Sequence, residues 1–287
     1  MKRRSFLLAS LGGCGLAVSH HFLLDDSLNA VTPSSQSPLL RFAALGDVGT
    51  GNRGQHRVAK AMVEHHSVNP ISLFLLTGDN IYESGEITKV GGAFEYPYRF
   101  FRSNSIPFYA VLGNHDIRTN NGEDQVKYRG YNMQGRYYTF IKETVQFFAL
   151  DTNKNASWTE QLAWLEENLA NSSATWKIVF GHHPIYSSGV HGNTDRLIEI
   201  LPPLFSRYGV QLYLNGHDHN YERTHPIEGT TYLTCGAGAK LRPVGKSDWT
   251  AYSVAKLSFA SIEVHSDKLE IRGINTKGQI FDSAVIV

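Results

Sequence analysis

An excess of either charge is missing from this sequence. Its 287 residues carry 27 lysines and arginines against 26 aspartates and glutamates, so no net field draws it to nucleic acid or to an anionic membrane surface. Charged residues are sparse at 18%, while 41% are hydrophobic, a balance that describes a globular protein of one or two domains with a large core. Long apolar runs are missing as well. Beyond the N-terminal segment none approaches the roughly 20 residues of a membrane-spanning helix, so no transmembrane segment is expected. Cysteine is reduced to Cys14 and Cys235. If Cys14 leaves with a leader, the remaining thiol has no internal partner, and no disulfide holds the fold.

Residues 1–19 read as an export signal. Met1-Lys2-Arg3-Arg4 supplies a basic start, Ser5 to Gly13 a short apolar stretch, and Ala17-Val18-Ser19 small residues for cleavage. The Arg3-Arg4-Ser5-Phe6-Leu7 order resembles a twin-arginine signal, which carries folded proteins; a general secretory signal with a chance arginine pair is the alternative. Leu11-Gly12-Gly13-Cys14 also resembles a lipoprotein cleavage box, which would anchor the chain through Cys14. A periplasmic or extracellular location is expected. Residues 20–38, with Pro33-Ser34-Ser35-Gln36-Ser37-Pro38, have no periodicity and read as a linker, leaving 39–287 as the domain proper.

Within that domain, strand-like apolar runs alternate with helical ones, the mark of an α/β fold. The runs are Leu40 to Leu45, Ile71 to Leu76, Ile106 to Leu112, Tyr137 to Ile141, Val145 to Leu150, Trp176 to Phe180 and Val210 to Leu214. Ser157-Trp158-Thr159-Glu160 forms a capping-box pattern ahead of Leu162, Leu165 and Leu169, which share a helix face. After residue 230 short strands and turns follow: Thr231 to Cys235, Ala255 to Val264, Leu269 to Ile274 and Gln279 to Ile286.

The chemistry gathers where the runs end, at Gly46-Asp47, Gly78-Asp79, Gly113-Asn114-His115, Gly181-His182 and Gly216-His217-Asp218-His219. Singly, each is an ordinary turn. Open α/β sheets bind ligands at the carboxyl ends of their strands. Five successive ends carrying carboxylate, imidazole and amide oxygen therefore make a donor set for iron, zinc or manganese.

These five blocks resemble those of the calcineurin-like metallophosphoesterases, and more narrowly of the purple acid phosphatases. The general superfamily opens with Asp-x-His; here Asp47-Val48-Gly49 lacks the imidazole, and Gly78-Asp79-Asn80-Ile81-Tyr82 supplies a tyrosine instead. A phenolate is a hard anionic donor that suits ferric iron. Leu150-Asp151-Thr152, Gln161 with Trp164-Leu165-Glu166, and Leu201 with Pro203-Leu204 are similar to the short, mammalian tartrate-resistant type. The resemblance implies a four-layer α/β/β/α arrangement, a β-sandwich flanked by helices with the metals at one edge. It implies that Asp47, Tyr82 and His219 bind ferric iron, that Asn114, His182 and His217 bind a divalent metal (iron, zinc or manganese), and that Asp79 bridges. Two aspartates and a tyrosinate against about five metal charges leave roughly +2 to attract phosphate. The implied reaction is hydrolysis of small phosphate monoesters by metal-bound hydroxide. His115 and His191 match the family's phosphate-binding and proton-donating histidines, with Asp116 expected to orient His115. His183, His56, His65 and His66 have no such match and read as structural or surface residues.

Three other readings compete. Gly49-Thr50-Gly51-Asn52-Arg53-Gly54 is a G-x-G-x-x-G after a strand, the dinucleotide fingerprint; it leaves Asn114, His182, His217 and His219 unexplained. A phosphodiesterase of the same superfamily and a non-catalytic phosphate-binding protein are the others. Residues 117–136, rich in Asn, Gly and charge, are expected to form a mobile loop that limits access to the site.

Overall fold

The computed structural model describes residues 37–287. The export-signal and Cys14 readings, and all of the linker before residue 37, lie outside the described residues. In chain order β1 (Leu40–Leu45), α1 (Arg53–Val68), β2 (Leu73–Leu76), α2 (Arg99–Ser103), β3 (Phe108–Ala110) and α3 (Glu123–Val126) come first. The second half of the catalytic core holds β4 (Tyr138–Lys142), β5 (Val145–Ala149), α4 (Trp158–Ala170), β6 (Trp176–Phe180), α5 (Asp195–Ile200), α6 (Pro202–Tyr208) and β7 (Leu212–Asn215). An all-β tail follows with β8 (Tyr221–Thr224), β9 (Thr231–Cys235), β10 (Thr250–Val254), β11 (Ser258–Val264), β12 (Leu269–Asn275) and β13 (Ile280–Ile286).

The strands form two mixed sheets, one ordered β13-β12-β11-β1-β2-β3 and the other β10-β8-β9-β7-β6-β5-β4. Because side chains alternate across a strand, β1 sends Phe42 and Ala44 into the core between the sheets and Ala43 and Leu45 outward under α1. Both faces are covered, which is why the run is apolar from Phe42 to Leu45 instead of alternating. The inter-sheet core meets at contacts such as Phe42 edge-on to Phe147, 5.2 Å between centroids. The outer face of the first sheet is closed by Val58 and Met62 of α1 and by Phe94 and Phe101. On the far side, Leu165 and Leu169 of α4, Leu197 of α5 and Phe205 of α6 pack on Phe148, Val179 and Tyr213. Four layers result, helix, sheet, sheet and helix, each fully buried Phe or Leu stabilising the fold by roughly 1.5–3 kcal/mol.

Two expectations need correction. Helix α4 starts where the sequence pattern puts it, but the Ser157 side chain makes no capping hydrogen bond; Gln161 N donates to its carbonyl. Gln161 is held inward, where its side chain bridges Asp151 N and O. Residues 117–136 are not an open loop. They fold into short helical turns around α3 and are pinned by buried Gln125 and Tyr131.

Candidate metal centre

Parallel pairing of β1, β2 and β3 and of β5, β6 and β7 brings their carboxyl ends to one edge. Left-handed backbone turns the chain sharply there: Asp47 (φ 59°), Asp79 (φ 54°) and His217 (φ 69°) all adopt it despite having side chains. Two glycines make the close approach feasible. At Gly78, with φ 90°, a Cβ would come within 2.6 Å of His182 Nδ1, and at Gly113 it would strike Asp79 Oδ1.

Two groups of donor atoms converge. In the first, Tyr82 Oη lies 3.1 Å from Asp47 Oδ1 and 3.2 Å from His219 Nε2, with His219 Nε2 3.4 Å from Asp47 Oδ1. In the second, Asn114 Oδ1 lies 3.0 Å from both His182 Nε2 and His217 Nδ1, which are 3.2 Å from each other. Asp79 stands between the groups, its Oδ1 3.6 Å from His182 Nε2. Asp47, Asp79 and His182 are buried, and their ligand atoms lie within 4.8 Å of one another.

The donor chemistry fits cations. His182 Nδ1 lies 2.9 Å from the Thr77 carbonyl, which only accepts, so the proton sits on Nδ1. Burial opposes charge on His182, but Asp79 and Asp47 hold its pKa above the ordinary range, so the position between Nε2 and Asn114 Oδ1 is one that a proton or a cation can fill. Donor atoms about 3 Å apart are also the spacing of ligands held at about 2.1 Å around one ion. The protein's own field points the same way. Burial and then the His182 charge push the His217 imidazole far below its ordinary range, leaving it neutral and able to ligate. Burial opposes charge on Asp79, but His182 and His115 hold its carboxyl below the usual range. Burial, then Asp47 and Asp79, push the Tyr82 phenol far up, so only a strong cation would take its proton away.

Residues 40–221 match the family described as calcineurin-like phosphoesterase. Purple acid phosphatase 4 of Arabidopsis thaliana is 31% identical over 81% of this chain and 79% of its own length. Tartrate-resistant acid phosphatase type 5 of Oryctolagus cuniculus is 29% identical over 77% of this chain and 79% of its own. The chain belongs to the calcineurin-like phosphoesterases, among the purple acid phosphatases. It is a dinuclear-metal acid phosphatase, a phosphoric ester hydrolase. Among solved structures, the yellow lupin purple acid phosphatase superposes with a TM-score of 0.74 at 20% identity, over 87% of this chain and 54% of the lupin one. GAP50, the anchor in the inner membrane complex of Plasmodium, superposes with a TM-score of 0.76 at 23% identity, over 86% of this chain and 88% of its own. A shared fold thus accompanies different roles, and it is the donor set that carries the chemistry.

Around the purple acid phosphatase centre, His115 lies edge-on to Tyr82 at 4.5 Å, with Nδ1 2.6 Å from the Glu83 carbonyl. Asp116 does not orient it. That carboxylate is fully buried and accepts from the backbone N–H of Asn80, Ile81 and Gly113 and from the amides of Asn80 and Gln125. It ties the Asp79 loop to the Asn114 turn, although burial and Asp79 push its pKa up to about 7. The His191 ring stacks on His217, with centroids 4.1 Å apart and planes at 29°. Burial and then the Arg242 guanidinium hold it below the ordinary histidine range, against Asp218. His183, read from sequence as structural, has its ring 4.7 Å from His217 and its Nδ1 2.9 Å from Thr152 Oγ1; burial and His182 push it down to about 3.

The sequence reading missed three cations at the rim. Lys240 Nζ lies 4.4 Å above the Tyr82 ring, Arg118 reaches His115 Nε2 at 3.3 Å, and Arg242 contacts His191 Nε2. In the glycine-rich 49–54 turn, in contrast, four N–H groups that a dinucleotide pyrophosphate would call on are already given away, those of Gly49 to Asp79 O and of Thr50 to Val48 O among them. Gly51 N donates to Gln55 Oε1 at 2.7 Å, Asn52 N to Thr50 Oγ1 at 3.1 Å and Gln55 N to Asn52 Oδ1 at 2.9 Å.

Proposed function

We propose that this acid phosphatase hydrolyses phosphate monoesters, with Asp47, Tyr82 and His219 holding ferric iron and Asn114, His182 and His217 a divalent iron, zinc or manganese ion. Asp79 is shared. The observation that carries this reading is the convergence of these donors at one edge, above all buried Asp47, Asp79 and His182, whose ligand atoms lie within 4.8 Å of one another. When bound, such an ion pair supplies Lewis acidity to orient the phosphoryl group, acidify water and offset charge on the attacking and leaving oxygens.

The chain's own residues do the rest. Thr77 O fixes the His182 ring, and His217 N donates to Asp47 Oδ2 at 2.8 Å, leaving Oδ1 for the first pocket; such outer contacts orient ligands. Arginine only donates, so His191 receives Arg242 at Nε2 and keeps its proton on Nδ1. That N–H lets His191 hydrogen-bond a leaving-group oxygen; full proton transfer to a leaving alkoxide needs the imidazolium, which burial and Arg242 disfavour. His115, with Nδ1–H given to Glu83 O, takes the Arg118 guanidinium at Nε2 and so sets that cation on the phosphate side.

Tyr82 tests the assignment. Protein loaded with ferric iron is expected to show a visible tyrosinate charge-transfer band that Tyr82→Phe abolishes. A band that survives the substitution assigns the ligand to another tyrosine.

A further inference from the structure

Arg242 lies on the strap of residues 239–245 that follows β9. The strap is fastened to the centre: Arg242 N donates to His219 O at 2.9 Å, Gly245 N to Ser188 O at 2.9 Å, and Val244 bridges to Gly189. From it the guanidinium reaches His191, whose ring rests on His217. A continuous stack thus runs from the second donor group out to a half-buried arginine.

That arginine is undersupplied with acceptors. A guanidinium has five N–H donors and no acceptor, and one imidazole nitrogen satisfies only part of the fork. Of the other two rim cations, Lys240 meets the Glu83 carboxylate at 3.2 Å, and Arg118 is taken up by the Glu83 carbonyl and His115 Nε2. Among the described residues Arg242 makes no ion pair. A half-buried planar cation with spare parallel N–H groups matches a tetrahedral oxyanion.

We propose that Arg242 binds a non-bridging oxygen of the substrate phosphate and sets a preference for monoesters over diesters. The inference rests on the phosphatase reading above. Its logic is one of oxygen supply. A diester has two non-bridging oxygens, and a bound pair of metal ions would occupy both. A monoester has a third, with a second negative charge once its proton is lost at a pKa of about 6, and that oxygen is free for the guanidinium. Arg118 is a weaker candidate because it is exposed and already donates to the Glu83 carbonyl at 3.1 Å.

The test compares metal-loaded wild type with Arg242→Ala, using phenyl phosphate, a bis-aryl phosphate diester, and calorimetric titration with inorganic phosphate. The monoester KM and the phosphate Kd are expected to rise together by about tenfold to a hundredfold, the loss typical of a charge-assisted contact. The fall in kcat should be much smaller, and the diester KM should barely move. Arg242→Lys is expected to recover part of the affinity, restoring charge without the fork. If Arg242 merely props His191, its removal from a His191→Ala background changes nothing; the proposal expects phosphate binding to weaken there too. Unchanged phosphate affinity, or equal losses on both ester types, overturns the proposal. A wild type that turns over no monoester overturns the phosphatase reading instead, while the calorimetric comparison still reports on Arg242.

Discussion

Three of the proposed metal ligands, Asp47, Asp79 and His217, sit in left-handed backbone that their side chains disfavour. Each such residue costs on the order of 1–3 kcal/mol, and the cost persists only where surrounding contacts dictate it. Here the dictating contacts are the strand ends and the backbone bonds Asp47 N to Gly78 O and Gly49 N to Asp79 O. Cys235 shows the same edge from beneath. Its thiol is buried below Thr77 and donates to the Asn215 carbonyl at 3.3 Å. Burial pushes its pKa from 9.0 up to about 12, so the native thiolate is scarce near neutrality. A folded pKa above the unfolded one contributes stability in full below pH 9, and the contribution is lost as pH rises toward 12. Iodoacetamide at pH 8 is expected to leave Cys235 unlabelled in the native protein and to label it on unfolding, read by peptide mass spectrometry. Rapid native labelling would mean that this edge opens.

At the scale of elements, β8 and β13 belong to different sheets, and Asp282 joins them. It accepts from Arg223 Nε at 2.7 Å, Arg223 Nη2 at 2.8 Å and Tyr221 Oη at 2.8 Å. Removing one partner of a largely buried pair leaves the other charge uncompensated, so Asp282→Ala is expected to cost about 3 kcal/mol. Urea unfolding checks this through a lower midpoint with an unchanged slope; a loss below 1 kcal/mol would show that water replaces the carboxylate. The same strand explains what the sequence hid. Runs such as Leu40–Leu45 and Trp176–Phe180 coincide with β1 and β6 because every residue but Arg41 and Lys177 is apolar and buried. Glu222 and Arg223 in β8, and the polar alternation of β10, make no such run, so those strands were not legible. Six of the proposed ligands stood out through glycine-marked strand ends, and Tyr82 through the family resemblance alone. Lys240 and Arg242 had no mark of that kind, since their place beside Tyr82 and His191 exists only through the tertiary path of the strap. Asp116 misled for a related reason: sequence adjacency to His115 suggested a partner, and the fold gave the carboxylate to Asn80, Ile81, Gly113 and Gln125.

Across the whole molecule, each proposed pocket draws ligands from both sheets. Asp47 and Tyr82 follow β1 and β2 in the first sheet, while His219 follows β7 in the second; Asn114 follows β3, while His182 and His217 follow β6 and β7. Metal binding therefore fastens the two layers along one edge, and the unfolded chain, with its donors far apart in sequence, has no comparable site. Linkage then makes stability depend on metal: at a hundredfold excess over Kd one ion adds about 2.7 kcal/mol. For a domain of this size each kcal/mol moves Tm by roughly 2–4 °C, so stripping the metals should lower Tm by about 5–10 °C per ion. Asp79→Ala removes the shared carboxylate and should erase most of the difference between stripped and loaded protein. Asn114→Ala touches one pocket only and should retain roughly half of it. Calorimetric scans of the three proteins, with metal content measured on each sample, decide the matter. A stripped wild type that melts with the loaded one would mean that the two sheets hold this edge together without metal.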